Sequence, residues 1–138
     1  LFLTYRYGAG IGCLAGFLYG MINLMQDAFI LHPVQVLFDY PLPYMALAVA
    51  ATVPGRYYTG AALAFAARFL CHYISGIVFF GSYAPPEMSP YLYSLVFNAT
   101  YLAPEAVICL LLLRVLPVPR LLAAMDQRTP LYGAKLTQ

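Results

Sequence analysis

The chain reads as an all-α, polytopic membrane helix bundle, and three observations carry that reading. Its residues are 63% hydrophobic and only 9% charged, with a mean hydropathy of +0.77, whereas soluble domains hold roughly 25% charged residues. Its apolar residues gather into four stretches near the ~20 residues that a membrane-crossing helix requires. Its Arg residues collect at alternate ends of those stretches. The expected spans are 7–25, 33–53, 57–80 and 91–116, followed by a cytoplasmic tail at 117–138, within one transmembrane domain covering 1–138.

Residues 1–5 are apolar but too short to cross alone. The chain begins without Met inside this run, so it reads as the end of another helix that continues upstream. No basic leader or small-residue cleavage pattern marks it as a removed signal.

Charge placement orients the bundle. Arg6 precedes the first span, Arg56 separates the second from the third, and Arg114, Arg120, Arg128 and Lys135 close or follow the fourth. The loops on the other side, at 27–32 and 81–90, carry Asp27 and Glu87 but neither Lys nor Arg. The positive-inside rule makes the Arg-bearing ends cytoplasmic and the Arg-free loops external, as expected of a multi-pass membrane protein. Arg68 alone departs from the pattern.

Composition also excludes. A formal charge of +2 is too small to recommend nucleic acid as a partner. Cys13, Cys71 and Cys109 lie in apolar runs without CxxC or metal-ligand spacing, and read as small buried hydrophobes. The two His are forty residues apart, so no metal or cofactor is indicated. With thirteen Tyr, nine Phe and no Trp, any ring stacking must come from Tyr and Phe.

Each span has its own signature. On the first, Gly8, Gly12, Gly16 and Gly20 form an every-fourth-residue stripe, expected to let backbones approach closely where lipid supplies no hydrophobic drive. On the second, Pro41 and Pro43 follow Asp39 and Tyr40 and should break the helix, as membrane helices do where they line a cavity. On the third, Arg68, His72, Ser75, Gly76 and Phe79 share one stripe with Phe80 at its edge. Small Ser75 and Gly76 beside two rings leave room for a flat guest. On the fourth, Tyr91, Ser94, Asn98, Tyr101 and Glu105 share a face, while Tyr93 lies about 140° around the helix from Asn98.

Polar residues in hydrocarbon are costly and mark functional sites. Counted along their helices from the outer end, Asp39 lies about 9 Å in, Asn98 about 11 Å and His72 about 13 Å. Three polar groups at one depth on three spans predict a pocket opening outward. Arg68 and Glu105 match each other at about 14 and 17 Å from the cytoplasmic end and predict a structural ion pair beneath it.

In these residues the chain resembles the thiamine-specific substrate-binding (S) components of energy-coupling-factor (ECF) vitamin transporters. The resemblance rests on Phe38-Asp39-Tyr40, the run from His72 through Ser75, Gly76 and Phe79 to Phe80, then Ser82-Tyr83-Ala84, and Tyr93-Ser94-Leu95 with Asn98. It covers roughly residues 1–116. It implies a six-helix fold in a prokaryotic cell membrane, its N-terminal part missing here, that captures thiamine from outside. It implies docking on a transmembrane coupling subunit driven by two ATPase subunits, with membrane lipid as surroundings. It also implies ligand contacts at Asp39, Tyr40, His72, Gly76, Phe80, Tyr93 and Asn98, to which the sequence pattern adds Ser75 and Tyr83. The family pattern has Glu where this chain has Asp39 and Trp where it has Phe80.

The residue chemistry suits thiamine independently of the name, since a flat cation and a flat hydrogen-bonding ring match a carboxylate, an imidazole, an amide and aromatic faces. Alternatives are an S component for a precursor such as hydroxymethylpyrimidine, an intramembrane enzyme with Asp39 and His72 as an acid–base pair, and a structural bundle subunit. Against the enzyme, no nucleophile elbow or phosphate-binding glycine loop is present. The chain is therefore expected to bind rather than to catalyse, with ATP hydrolysis left to partners.

Overall fold

The computed structural model describes residues 1–127, and the expectations for Arg128 and Lys135 lie outside them. Six α-helices follow in order: α1 (Phe2–Gln26), α2 (Pro33–Asp39), α3 (Pro41–Met45), α4 (Tyr57–Phe79), α5 (Pro90–Val115) and α6 (Val118–Gln127). Short 3-10 turns cover Ala46–Thr52 and Gly81–Tyr83. Among the described residues, four stretches are long and apolar enough to cross a membrane: Phe2–Gln26, Pro33–Thr52, Tyr57–Phe79 and Pro90–Val115.

Local chemistry explains the boundaries. Pro33 and Pro90 occupy first turns, where a missing N–H costs nothing. His32 Nδ1 accepts from Val34 N at 3.1 Å, and Ser89 Oγ accepts from Leu92 N at 3.2 Å, so both helix starts are capped by side chains. The expected break in the second span is present, with α2 ending at Asp39 and α3 beginning at Pro41. Tyr40 between them is the hinge, at φ −113° and ψ −78°.

The glycine stripe divides its labour differently from the expectation of uniform packing. Gly8 has φ +81° and ψ −175°, interrupting α1, and a Cβ there would meet nothing within 4 Å. It is a bend that an L side chain resists. The bend brings Thr4 against Gly12, so residues 1–7 turn back beside the helix they precede. Gly16 and Gly20 do pack, against the backbone carbonyls of Tyr44 and Tyr40.

The broken second span lies between α1 and α4, and α5 packs on α4. A Cβ on Gly76 of α4 would meet Ser94 Oγ and Cβ of α5. At the Arg-rich end, Ala61, Leu113 and Val118 form a buried cluster that collects Phe2 and Tyr5. Tyr5 donates its hydroxyl to the Tyr57 carbonyl at 2.7 Å. Within the stretch expected as a tail, residues 118–127 form α6, anchored by Val118. Large apolar side chains such as Leu14, Ile22, Val107 and Leu111 remain exposed, as suits helices facing lipid.

Candidate functional site

At the opposite end of the bundle, α1, α2, α4 and α5 enclose a cavity of about 460 Å³, within the range of small-molecule sites. From α4 come His72 and Gly76, with Phe80 just past its end, at four-residue intervals on one face. From α5 come two adjacent rows, Ser94 with Asn98, and Tyr93 with Phe97 and Tyr101. The cavity curves around α5 far enough to take both, which resolves the angular separation of Tyr93 from Asn98 expected from an ideal helix. Asp39 and Tyr40 reach the wall because the helix breaks there, and Asn23 and Asp27 complete it from the end of α1.

The Asp39 carboxylate is held on two sides. Its Oδ2 accepts a hydrogen bond from Gln35 Nε2, and its Oδ1 lies 3.7 Å from His72 Nδ1. That second distance is too long for a hydrogen bond but short enough for attraction to a protonated imidazole. His72 Nε2 is buried and has no hydrogen-bond partner among the described residues. An acceptor or donor brought into the cavity is a natural complement to such a group.

Asn98 and Tyr40 are engaged by the protein itself. Asn98 Nδ2 donates to the Ser94 carbonyl at 2.8 Å and approaches the His72 carbonyl at 3.3 Å, while its Oδ1 accepts from the Tyr101 hydroxyl at 2.6 Å. The amide therefore ties α4 to α5 and passes its polarity to Tyr101. The Tyr40 hydroxyl accepts from Phe29 N at 2.8 Å and donates to the Asp27 carbonyl at 2.9 Å, fastening the loop between α1 and α2. From that loop the Phe29 ring stacks on Phe80, centroids 5.8 Å apart.

Seven of the nine expected site residues thus line one cavity: Asp39, Tyr40, His72, Gly76, Phe80, Tyr93 and Asn98. Ser75 and Tyr83 do not. Ser75 is 0% exposed, its hydroxyl without a hydrogen-bond partner among the described residues, and as the residue before Gly76 it is turned about 100° around the helix from the cavity wall. Tyr83 lies in the 3-10 turn past the end of α4, 54% exposed and outside the cavity wall, its ring 6.0 Å from that of Phe80. Five lining residues were not among the expected ligand contacts: Asn23, Asp27, Phe97, and Ser94 and Tyr101, the last two expected only to share the Asn98 face. Asn23 and Asp27, polar and four apart at the end of an apolar helix, offered a signal; Phe97 offered none.

The expected ion pair is present, Arg68 Nη1 to Glu105 Oε1 at 2.6 Å. Arg68 also lies over the Tyr44 ring at 4.7 Å. Both charges and Tyr44 line a second, smaller cavity of about 290 Å³ nearer the Arg-rich end.

A carboxylate and an imidazole among Phe and Tyr faces can hold a flat, positively charged ligand by charge, hydrogen bonding and stacking. Comparison with known proteins agrees with a membrane transport component. The family described as Thiamine transporter protein (Thia_YuaJ) matches residues 1–123. The thiamine transporter ThiT of Bacillus subtilis is 33% identical over 87% of this chain and 72% of its own length. ThiT of Lacticaseibacillus paracasei is 26% identical over 92% of this chain and 74% of its own. The solved structure of ThiT from Listeria monocytogenes shares the fold, with a TM-score of 0.71 at 23% identity, over 88% of this chain and 77% of that one. The chain belongs to the thiamine transporter protein family, a family of multi-pass membrane transport components and not of enzymes.

Proposed function

We propose that this chain is the thiamine-capturing S component of an ECF-type importer, taking its ligand from the outside into the 460 Å³ cavity. The observation that carries the reading is the Asp39 carboxylate beside His72, set in a wall completed by Phe80, Tyr93, Phe97 and Tyr101. A thiazolium is a flat cation, and a carboxylate among aromatic faces attracts it by charge and by the ring quadrupoles. The aminopyrimidine supplies donors and acceptors for His72 and for the Tyr101–Asn98 pair.

The cavity lies at the end bearing the Arg-free loops, and that end faces outside by the positive-inside rule. Energy for release then comes from partners, a transmembrane coupling subunit and two ATPase subunits. Isothermal titration of the purified protein with thiamine and with hydroxymethylpyrimidine tests the substrate. Saturable thiamine binding in the micromolar range or tighter supports the reading. Tighter binding of the pyrimidine alone redirects it to the precursor, and binding of neither ends it.

A further inference from the structure

Gln35 is outside the cavity wall, yet it is among the most buried side chains of the molecule, 1% exposed. It lies one turn before Asp39 on α2, and its carboxamide is fully used. Nε2 donates to the Phe29 carbonyl at 3.1 Å and to Asp39 Oδ2, while Oε1 accepts from Leu31 N at 3.0 Å. Two acceptors and one donor fix the amide's orientation, since the flipped group would oppose like to like at all three partners. A Glu of the same shape could not donate to two oxygens.

Two parts of the site meet at this amide. By holding Oδ2, it leaves Oδ1 as the carboxylate oxygen beside His72. By holding Phe29 and Leu31, it fastens the loop that sets the Phe29 ring on Phe80. The Tyr40 hydroxyl pins the same loop at Asp27 and Phe29. Gln35 is the member of this network that also grips the charge.

We propose that Gln35 is a positioning residue that orients the Asp39 carboxylate toward the ligand and couples it to the 27–31 loop, so that one buried amide sets both the charged and the aromatic contact. This rests on the thiamine reading for its ligand, though not for the coupling itself.

The test uses the full chain in lipid nanodiscs, with thiamine titrated into the native protein, Gln35→Leu, Asp39→Asn and the double variant. Gln35→Leu keeps the volume and removes the amide. It is expected to weaken thiamine binding about 10-fold or more where Asp39 is charged, and less than about 3-fold in the Asp39→Asn background, because coupled groups are not additive. Amide exchange at Leu31 in the ligand-free protein is expected to quicken about 10-fold or more in Gln35→Leu and to stay unchanged in Asp39→Asn. Equal loss of affinity in both backgrounds, or affinity kept by Gln35→Leu, overturns the proposal. If the native protein takes up no thiamine, the substrate reading falls while Leu31 exchange still decides the coupling: unchanged exchange in Gln35→Leu overturns it.

Discussion

Arg68 and Glu105 meet at 2.6 Å between α4 and α5, one helical turn beyond His72 and Tyr101 of the cavity wall. The pair is asymmetric, with the Arg68 side chain 7% exposed and that of Glu105 48%. Removing Glu105 therefore strands a buried guanidinium, a larger loss than the pair's own net contribution.

Glu105→Leu is expected to destabilise the protein by on the order of 3 kcal/mol, the cost typical of a stranded buried charge. The double variant with Arg68→Met is expected to recover most of that loss, because no charge is then left unpaired. Thermal unfolding in one detergent reads both. A double variant no more stable than Glu105→Leu would show that the pair stabilises through something other than mutual neutralisation.

Asp39→Asn keeps the shape of the side chain and removes the charge that the proposed function assigns to the cation. Thiamine affinity is expected to fall about 10-fold or more, the range of a charge-assisted contact, with little change in the unfolding midpoint. Calorimetric titration at fixed ionic strength checks it. Undiminished affinity would move the cation's partner elsewhere, with Asp27 the next carboxylate on the wall.

Phe80 presents a ring to the cavity while Phe29 stacks against it. Phe80→Leu, which keeps apolar bulk without a π face, is expected to weaken thiamine binding by roughly 3- to 10-fold, the scale of an aromatic contact beyond area burial. Tryptophan fluorescence of a Phe80→Trp variant, in a chain otherwise without Trp, would report the ligand's arrival directly. A ring signal indifferent to saturating thiamine would place the ligand away from Phe80.

The glycines of α1 differ sharply in what they tolerate. A Cβ on Gly20 would lie 2.4 Å from the Tyr40 carbonyl oxygen, whereas one on Gly10 meets nothing within 4 Å. Gly20→Ala is expected to cost about 1–3 kcal/mol through overpacking against backbone, and to displace Tyr40 at the cavity. Gly10→Ala is expected to be neutral or to stabilise by a few tenths through helix propensity, roughly the lower part of the Ala–Gly difference. Equal midpoints for the two variants would contradict the close approach of α1 to the second span.

The sequence by itself determined the all-helical class, the four long apolar stretches and the break after Asp39. These follow from local chemistry: hydrocarbon length sets the stretches, and Pro41 removes an N–H wherever it sits. It also determined the Arg68–Glu105 pairing, because two opposite charges at matched depth in an apolar medium have few other partners. Asp39, His72, Gly76 and Asn98 were legible for the same reason, being polar or small where the run of the chain is apolar.

What only the tertiary structure decided are the properties that depend on rotation and neighbours. Helical spacing put Ser75 on the same stripe as His72, but packing of α4 turned it into the interior and left Gly76 at the wall. Asn98 and Tyr40 proved to be bonded within the protein, and Gln35, an unremarked polar residue in the sequence, proved to be the group that holds Asp39. Gly8 reads like its neighbours in the stripe, yet it alone of the four turns the backbone. Such roles arise because a hydrogen bond or a close approach needs two partners brought together by the fold, and spacing along one helix specifies only the first.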